Sequence, residues 1–295
     1  MRNRLPTTLL LTLLISWSFL SSCVTPGPAQ TQAQPARQSF LWDATKGDQL
    51  LTLVGTMHIG IQAGDMDPLV WKRLGEADTV IIETDLSQHT STLMAKYMSL
   101  PPGKELSVML GAEHWQKFVK IVKESGSKVT EEHLKSLSPL AAGALLLQVQ
   151  AKADEDLTAG AESIDSIIYE RGRSLGKKLK TLETNEEQLK SLQAVFHIEA
   201  IQKVLDEWEA ESGNYAELKK AFKEGNSLAL DDMLKEVPED MRHLLLEERN
   251  KLWILRLPFL QGKKTVLAVG AAHFAGEYGL LRLLKEDGYR ITPIR

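Results

Sequence analysis

The chain of 295 residues contains a single cysteine, Cys23, so an intramolecular disulfide is excluded. Blocks of one charge are also missing, because 39 acidic and 35 basic residues are interspersed and give a formal net charge of −4. Nucleic-acid surfaces usually carry a concentrated basic patch, so the sequence predicts no nucleic-acid partner. What the chain does contain is 43% hydrophobic residues, which is enough for a substantial globular core.

Long apolar runs are missing as well. The run Leu9–Leu20 is too short for a comfortable membrane span, but it follows Arg2 and Arg4, a layout typical of an export signal. The run ends in LSSC, which resembles a bacterial lipobox whose cysteine is Cys23. This resemblance implies cleavage before Cys23, lipid on that residue and a tether to a membrane face. The alternative is a plain secretory signal with an incidental cysteine.

The segment that follows the cysteine has no apolar period. Residues 24–38 are rich in Pro, Gln, Ala and Thr, so we expect residues 1–22 to be the signal and residues 23–38 a flexible tether. Val24 favours the outer membrane, so the predicted location is the cell envelope, lipid-anchored on the periplasmic side of a Gram-negative outer membrane. We expect residues 39–295 to form a single domain.

Both ends of this domain carry strand patterns. Residues 39–56 predict a hairpin that leads into Gly55, and Thr79–Ile82 predicts a short buried strand with Glu83 at its carboxyl end. Residues 264–295 predict a strand, a helix and a strand. The two ends of the chain are therefore expected to share one sheet.

The middle of the chain, from about 90 to 257, has helical periodicity. Within it we expect one strand in the stretch Lys178–Thr184, ending at Glu183, with Asn185 as the N-cap of the next helix. Pro258 is expected to end the helix that begins at Met241. The predicted fold class is α/β, or α+β, with a central mixed sheet built from the N- and C-terminal segments and a helical middle as a lid.

One short pattern, Gly-x-x-His, occurs twice, each time at the end of an apolar strand. Gly55 precedes His58, and Gly270 precedes His273. Glycine permits a sharp turn or a close backbone approach, and the histidine can then point back over the end of the strand. Ligands of open α/β sheets bind beyond the carboxyl ends of the strands, so we expect both imidazoles to face one site.

Glu83 leaves a third strand at the same kind of position. If the strands are neighbours, His58, His273 and Glu83 form a set suited to a divalent transition metal. Such an ion would acidify a bound water and aim it at a carbonyl. Two alternatives stay open: a protein that binds metal, haem or peptide without turnover, and two Gly-x-x-His turns that are purely architectural.

The chain contains, in this order, the segments GTMHIG, ETD, ESIDSI, LETNEEQ, ERN and VGAAHFAGEYGLLRLLKEDGYRI. Together these segments resemble the TraB/GumN family, which includes the TIKI proteases, over Phe40 to Arg295. The resemblance implies a metal-dependent hydrolase that acts on peptides, with Mn or Co as the favoured metals and Zn or Fe as alternatives. Ile164-Asp165 stands where a Leu-Asp pair is more usual.

Chemical type and the resemblance together predict roles at the matched positions. His58, His273 and Glu83 are expected to be metal ligands, or two ligands and a general base. Arg249 would stabilise an oxyanion, with Glu248 orienting it, although a surface ion pair is the alternative. The other predicted site residues are Glu183 as a catalytic carboxylate, Gly55 and Gly270 as turn glycines, and Thr56, Thr184 and Asn250 as hydrogen-bonding neighbours.

Overall fold

The computed structural model describes residues 40–57, 60–85, 91–152, 163–208 and 214–294. The predicted signal, the tether with Cys23, and His58 lie outside these ranges, so the predictions made for them stay predictions. Across the ranges that are described, no helix is both long and apolar enough to cross a membrane.

Six strands of the described residues form one mixed sheet, and they come mainly from the two ends of the chain. They are β1 (Leu41–Lys46), β2 (Gln49–Thr56), β3 (Thr79–Ile82), β4 (Lys178–Thr181), β5 (Lys264–Gly270) and β6 (Arg290–Pro293), in the spatial order β4-β3-β5-β2-β1-β6. β1 is antiparallel to β2 and β6. The parallel pairs are β2 with β5, β5 with β3, and β3 with β4. The predicted α/β class with a mixed sheet is confirmed.

An α-helix lies between β2 and β3, and helices occupy most of the described residues between β3 and β5. They are α1 (Pro68–Glu76), α2 (Ser91–Met98), α3 (Leu106–Leu110), α4 (Ala112–Glu124), α5 (Glu131–Ser136), α6 (Pro139–Lys152), α7 (Ile164–Ser174), α8 (Asn185–Val195), α9 (Ile198–Asp206), α10 (Asn214–Lys223), α11 (Ser227–Glu236), α12 (Glu239–Arg242) and α13 (Glu248–Leu260). A π-helical turn, His243–Glu247, joins α12 to α13, and α14 (Leu280–Glu286) follows β5 after the 3-10 turn Ala271–Phe274.

The two faces of the sheet bury different side chains, because successive strand residues point to opposite sides. Ile81 and Leu267 belong to the cluster that packs against α13 and α14, where Trp253 is 1% exposed. Their neighbours Val80 and Val266 belong to the larger cluster on the other face, which also contains the helical middle. The central parallel strands are therefore covered on both faces, as is usual for parallel pairs.

The carboxyl ends of β2, β5 and β3 meet at one edge of the sheet. Thr56 of β2 lies opposite Gly270 of β5, and Ile82 of β3 lies opposite Ala268. Glu83 directly follows β3, so its side chain starts at the same edge as the turn after Gly270. The N- and C-terminal segments thus build this edge together.

Three local predictions about element ends are wrong. The N-cap of α8 is Thr184 rather than Asn185, because Thr184 and Glu187 form a reciprocal capping box. β4 ends at Thr181, two residues before the predicted end at Glu183. α13 continues to Leu260 past Pro258, since a proline in the exposed last turn removes only one helical hydrogen bond.

Gly55 lies within β2, where the lack of a side chain lets Phe40 and Ala271 pack closely against the strand. It does not form a turn. A Cβ at this position would lie 2.7 Å from Cβ of Phe40 and 3.3 Å from Cβ of Ala271.

We expect Gly55→Ala to lower the free energy of unfolding by about 1–3 kcal/mol, because the packed backbone must move apart. Gly75→Ala in α1 is the matched control, since no heavy atom lies within 4 Å of a Cβ there. It should be neutral or stabilise the protein by up to about 1 kcal/mol. Urea denaturation followed by circular dichroism measures both effects, and equal unfolding midpoints for the two variants would contradict the close-approach explanation.

Candidate functional site

The guanidinium of Arg249 lies at the centre of a buried polar cluster beyond the carboxyl ends of β3 and β4. Its Nε and Nη2 donate to Glu183 at 3.1 and 2.6 Å, and Nη2 also donates to Oε2 of Glu83 at 2.7 Å. Its Nη1 donates to the carbonyl oxygen of Leu245 at 3.0 Å and to Nε2 of His273 at 3.2 Å. A guanidinium has five N–H groups, and all five of Arg249 are engaged here.

Saturation of these donors changes the role predicted for Arg249. The arrangement leaves no N–H of Arg249 free for an oxyanion, so the residue holds the cluster together instead. Glu248 does not orient it, because the Glu248 carboxylate pairs with Nζ of Lys251 at 3.0 Å and its side chain is 49% exposed. Consecutive helix residues point about 100° apart, so Glu248 faces solvent where Arg249 faces the sheet. Glu83 and Glu183 orient the guanidinium in its place.

The two carboxylates reach one guanidinium because they follow adjacent parallel strands. The backbone N–H of Glu183 donates to the carbonyl oxygen of Glu83 at 3.0 Å, just past the end of the β3–β4 ladder. Oε1 of Glu83 accepts the N–H of Gly270 at 2.8 Å, so this glycine contributes a backbone donor. Oε2 of Glu183 accepts Nε1–H of Trp253 at 3.2 Å. Both side chains are held in place and nearly fully buried.

His273 is fully buried in the 3-10 turn that follows β5. Its Nδ1 lies 2.7 Å from Oδ1 of Asn250. The Nδ2 group of Asn250 donates to the carbonyl oxygens of His273 and Tyr278 at 3.0 and 2.9 Å, so Oδ1 must be the atom that accepts from the ring. The network therefore assigns the ring hydrogen to Nδ1 and leaves the Nε2 lone pair facing Arg249.

The charged groups of the cluster carry a net formal charge of −1, because two carboxylates surround one guanidinium. Burial raises the pKa of Glu183, and the attraction of Arg249 opposes this shift. Burial lowers the pKa of Arg249, but the attraction of Glu183 and Glu83 outweighs it and the net pKa is raised. Arg249 thus stays charged, and the remaining negative charge favours one further proton or cation.

One pair of donor atoms has a spacing close to that of two ligands of a single ion. Nε2 of His273 and Oε1 of Glu83 are 3.8 Å apart, and two donors each about 2.1 Å from a tetrahedral ion lie about 3.4 Å apart. With the net charge of −1, Nε2 could bind a divalent cation beside this carboxylate in place of its hydrogen bond from Arg249. Among the described residues there is no group of three or more His, Cys, Asp and Glu side chains arranged to hold a metal, and His58 lies outside them.

Several buried residues of this edge do not appear among the predicted site residues. Trp253 contacts three members of the cluster: besides bonding Glu183, its ring lies 4.3 Å from that of His273 and 4.7 Å from the guanidinium carbon of Arg249. Its spacing of four residues from Arg249 on one helix is the signal that would have placed it there. Nε2 of Gln188 lies 3.4 Å from Oε2 of Glu83 and completes this side of the cluster.

Thr56 and Thr184, both predicted as hydrogen-bonding neighbours, have different partners. The Thr56 hydroxyl donates to Oδ1 of the buried Asp165 at 2.7 Å, and Thr184 caps α8. The π-helical turn that supplies the Leu245 carbonyl also went unpredicted, although such turns frequently occur at functional sites. Hydrophobic periodicity contains no sign of a π turn.

Comparison with known proteins agrees with this arrangement of motifs. The sequence profile of the TraB/PrgY/gumN family matches residues 40–293. The chain belongs to the TraB/PrgY/gumN family. Two relatives called "Uncharacterized protein YbaP", from Escherichia coli (strain K12) and Shigella flexneri, are each 26% identical over 249 residues, which is 81% of this chain and 89% of theirs. No solved structure matches the chain significantly.

In this TraB/PrgY/gumN chain, Arg249→Gln should lower the free energy of unfolding by about 3–5 kcal/mol near neutral pH, because it leaves buried carboxylates without their cation. Burial raises the pKa of Glu183 above its unfolded value, and without Arg249 the hydrogen bond from Trp253 is left to oppose that shift. A group whose pKa is higher in the folded than in the unfolded state contributes stability that is lost as pH rises. The loss of unfolding free energy caused by Arg249→Gln should therefore be larger at about pH 8 than at about pH 5.

Arg256→Gln is the matched control for this variant. Arg256 lies on the same helix and pairs with Glu187 at 2.6 Å, but its side chain is 37% exposed. Its removal should cost about 0–1 kcal/mol. Urea denaturation at both pH values measures the difference, and similar losses for the two variants would show that the buried cluster does not depend on Arg249.

Asn250→Leu tests the assignment of the His273 tautomer. The substitution removes the acceptor of Nδ1–H, so the ring should no longer hold its hydrogen on one nitrogen. The ¹⁵N chemical shifts of the two ring nitrogens, well separated in the natural chain, should move towards each other. The exposed ring of His133 is the internal reference, because its signals should not change. Unchanged His273 shifts would refute the positioning role of Asn250.

Proposed function

We propose that this chain is a metal-dependent hydrolase of the peptidase or amidase kind, held at the cell envelope by lipid on Cys23. The observation that carries the catalytic part is the buried set of two carboxylates, one imidazole and one guanidinium at the carboxyl edge of the sheet. Burial of this many ionisable groups at one strand edge is typical of functional sites.

Glu83 supplies the proton acceptor in this proposal, and His273 supplies an imidazole nitrogen for the metal. A water that bonds to Oε1 of Glu83 would lose a proton to this carboxylate as it attacks a carbonyl, and the acid would return the proton to the leaving amine or alcohol as its bond to the carbonyl carbon breaks. Nε2 of His273 lies 3.8 Å from this oxygen. Asn250 keeps Nε2 free of a proton by holding the ring hydrogen on Nδ1. Glu183 and Arg249 are positioning residues, since their hydrogen bonds fix Glu83 and His273 relative to each other.

A divalent transition metal, with Mn or Co favoured over Zn or Fe, would be held by His273 and by His58, the further ligand predicted from the sequence, which leaves Glu83 as the general base. When bound, this ion would supply acidified water and positive charge facing the carbonyl oxygen. Arg249 does not provide that charge, because its donors are already used within the protein. The family resemblance makes a peptide the first substrate class to test.

The envelope location rests on the sequence. Arg2 and Arg4, the apolar run Leu9–Leu20 and the LSSC segment have the layout of a lipoprotein signal, and the tether that follows separates Cys23 from β1. A lipid-anchored hydrolase would act on substrates at the membrane face to which it is tethered.

A protein that binds metal, haem or peptide without turnover is the second candidate. The specific observation that favours it is the enclosure of the cluster, whose side chains are 0–5% exposed and whose guanidinium donors are all satisfied. A site that is closed in this way suits long retention of a ligand as well as catalysis.

The test begins with elemental analysis of the full chain purified without chelator. We expect transition metal in the natural chain, and a loss of metal affinity of more than about 10-fold in His58→Ala and His273→Ala. His133→Ala is the control, because this histidine is exposed in α5 and should leave the metal content unchanged. Metal that stays stoichiometric in both site variants would overturn the metal assignment.

Fluorogenic peptide and ester libraries with added Mn or Co then separate the hydrolase from the binding protein. A hydrolase should release product at a rate that falls at least about 100-fold in Glu83→Gln, the scale usual for loss of acid–base catalysis. A binding protein would show saturation without product in the natural chain, and that result would overturn the proposed hydrolysis.

A further inference from the structure

Helix α13 has a second apolar face that points away from the protein. Leu252, Leu255 and Phe259 are 49%, 69% and 88% exposed. Their spacing of three and four residues places them on one side of the helix, opposite the buried Arg249 and Trp253. We call these three residues the outer α13 stripe.

The outer α13 stripe differs from an ordinary surface. Single exposed apolar residues are common, but a row of three on one helix face marks an interaction site. α14 covers the same sheet face, and its exposed side carries Arg282 and Glu286, which form an ion pair at 2.9 Å. The apolar row is therefore a property of α13 rather than of this whole layer.

Basic residues lie next to the most exposed end of the stripe. Lys263 and Lys264 follow α13 after two intervening residues, both are exposed, and neither side chain makes an ion pair with a described residue. An apolar helix face beside exposed lysines is the chemistry of helices that lie on anionic phospholipid surfaces.

The covalent reach of the chain permits such a contact. Only residues 24–39 separate Cys23 from Phe40, and a segment of this length spans at most about 55 Å when fully extended. A folded domain with as many residues as the one after Phe40 has a radius of gyration of about 18 Å. A tether of this length from Cys23 is therefore long enough for any face of the domain to reach the bilayer.

We propose, on the basis of the envelope anchoring in the proposed function, that the outer α13 stripe docks on a bilayer that contains anionic phospholipids. Leu255 and Phe259 enter the interface, while Lys263 and Lys264 contact the headgroups. The same helix carries Arg249 on its inner face, so docking sets the buried cluster one helix diameter from the membrane.

The experiment uses the full chain bound to vesicles of phosphatidylethanolamine and phosphatidylglycerol. Phe259→Cys carries an environment-sensitive fluorophore, and nitroxide-labelled lipids quench it according to depth. Val108→Cys is the matched control, because Val108 is an equally apolar surface residue, 78% exposed on α3 at the other side of the sheet. The unsubstituted chain, treated identically, corrects for label on Cys23.

We expect quenching at position 259 to exceed that at position 108 several-fold and to fall when phosphatidylcholine replaces phosphatidylglycerol. Equal quenching at the two positions, or none at 259, would overturn the docking. Cross-linking between two Phe259→Cys chains without quenching would show that a second copy covers the stripe, which also overturns it. Vesicle flotation reports the anchoring separately, and neither readout depends on hydrolysis.

Discussion

The ion pairs of Arg249 with Glu83 and Glu183 are the interaction on which the candidate site depends. Taking three charges out of water costs several kcal/mol each, and only close hydrogen-bonded pairing offsets this cost. The pairing is possible because the two carboxylates leave adjacent parallel strands and the guanidinium enters between them from a helix packed across the sheet. One side chain thereby connects β3, β4 and α13.

The second constraint is the parallel pairing of β2 with β5. These strands are separated by most of the folded chain, yet Thr56 and Gly270 lie in register. β5 pairs on its other side with β3, which places the turn with His273 beside Glu83, and Gly270 bonds that carboxylate through its backbone. The helical middle provides the connection that parallel strands require, and it covers one sheet face as it does so.

Much of the site could be predicted because strand ends and glycines can be recognised from short stretches of the sequence. Glu83, Glu183, Gly270 and His273 all come together, and each follows or ends a strand. The prediction failed for Glu248, whose neighbour Arg249 faces the other way, since a motif of three letters does not say which side of a helix is buried. Trp253 was missed because its spacing from Arg249 places both residues on one helix face but does not say whether the tryptophan packs on leucines or on a carboxylate.

The sequence by itself determined the family, the α/β class and the strand-end positions of the acids and histidine, because these follow from hydrophobic period and local motifs. Only the tertiary structure decided which atoms meet: that Arg249 uses every donor, that Asn250 sets the His273 tautomer, and that α13 leaves an apolar row outside. Such facts depend on the packing of segments up to about two hundred residues apart, where a shift of one ångström makes or breaks a hydrogen bond.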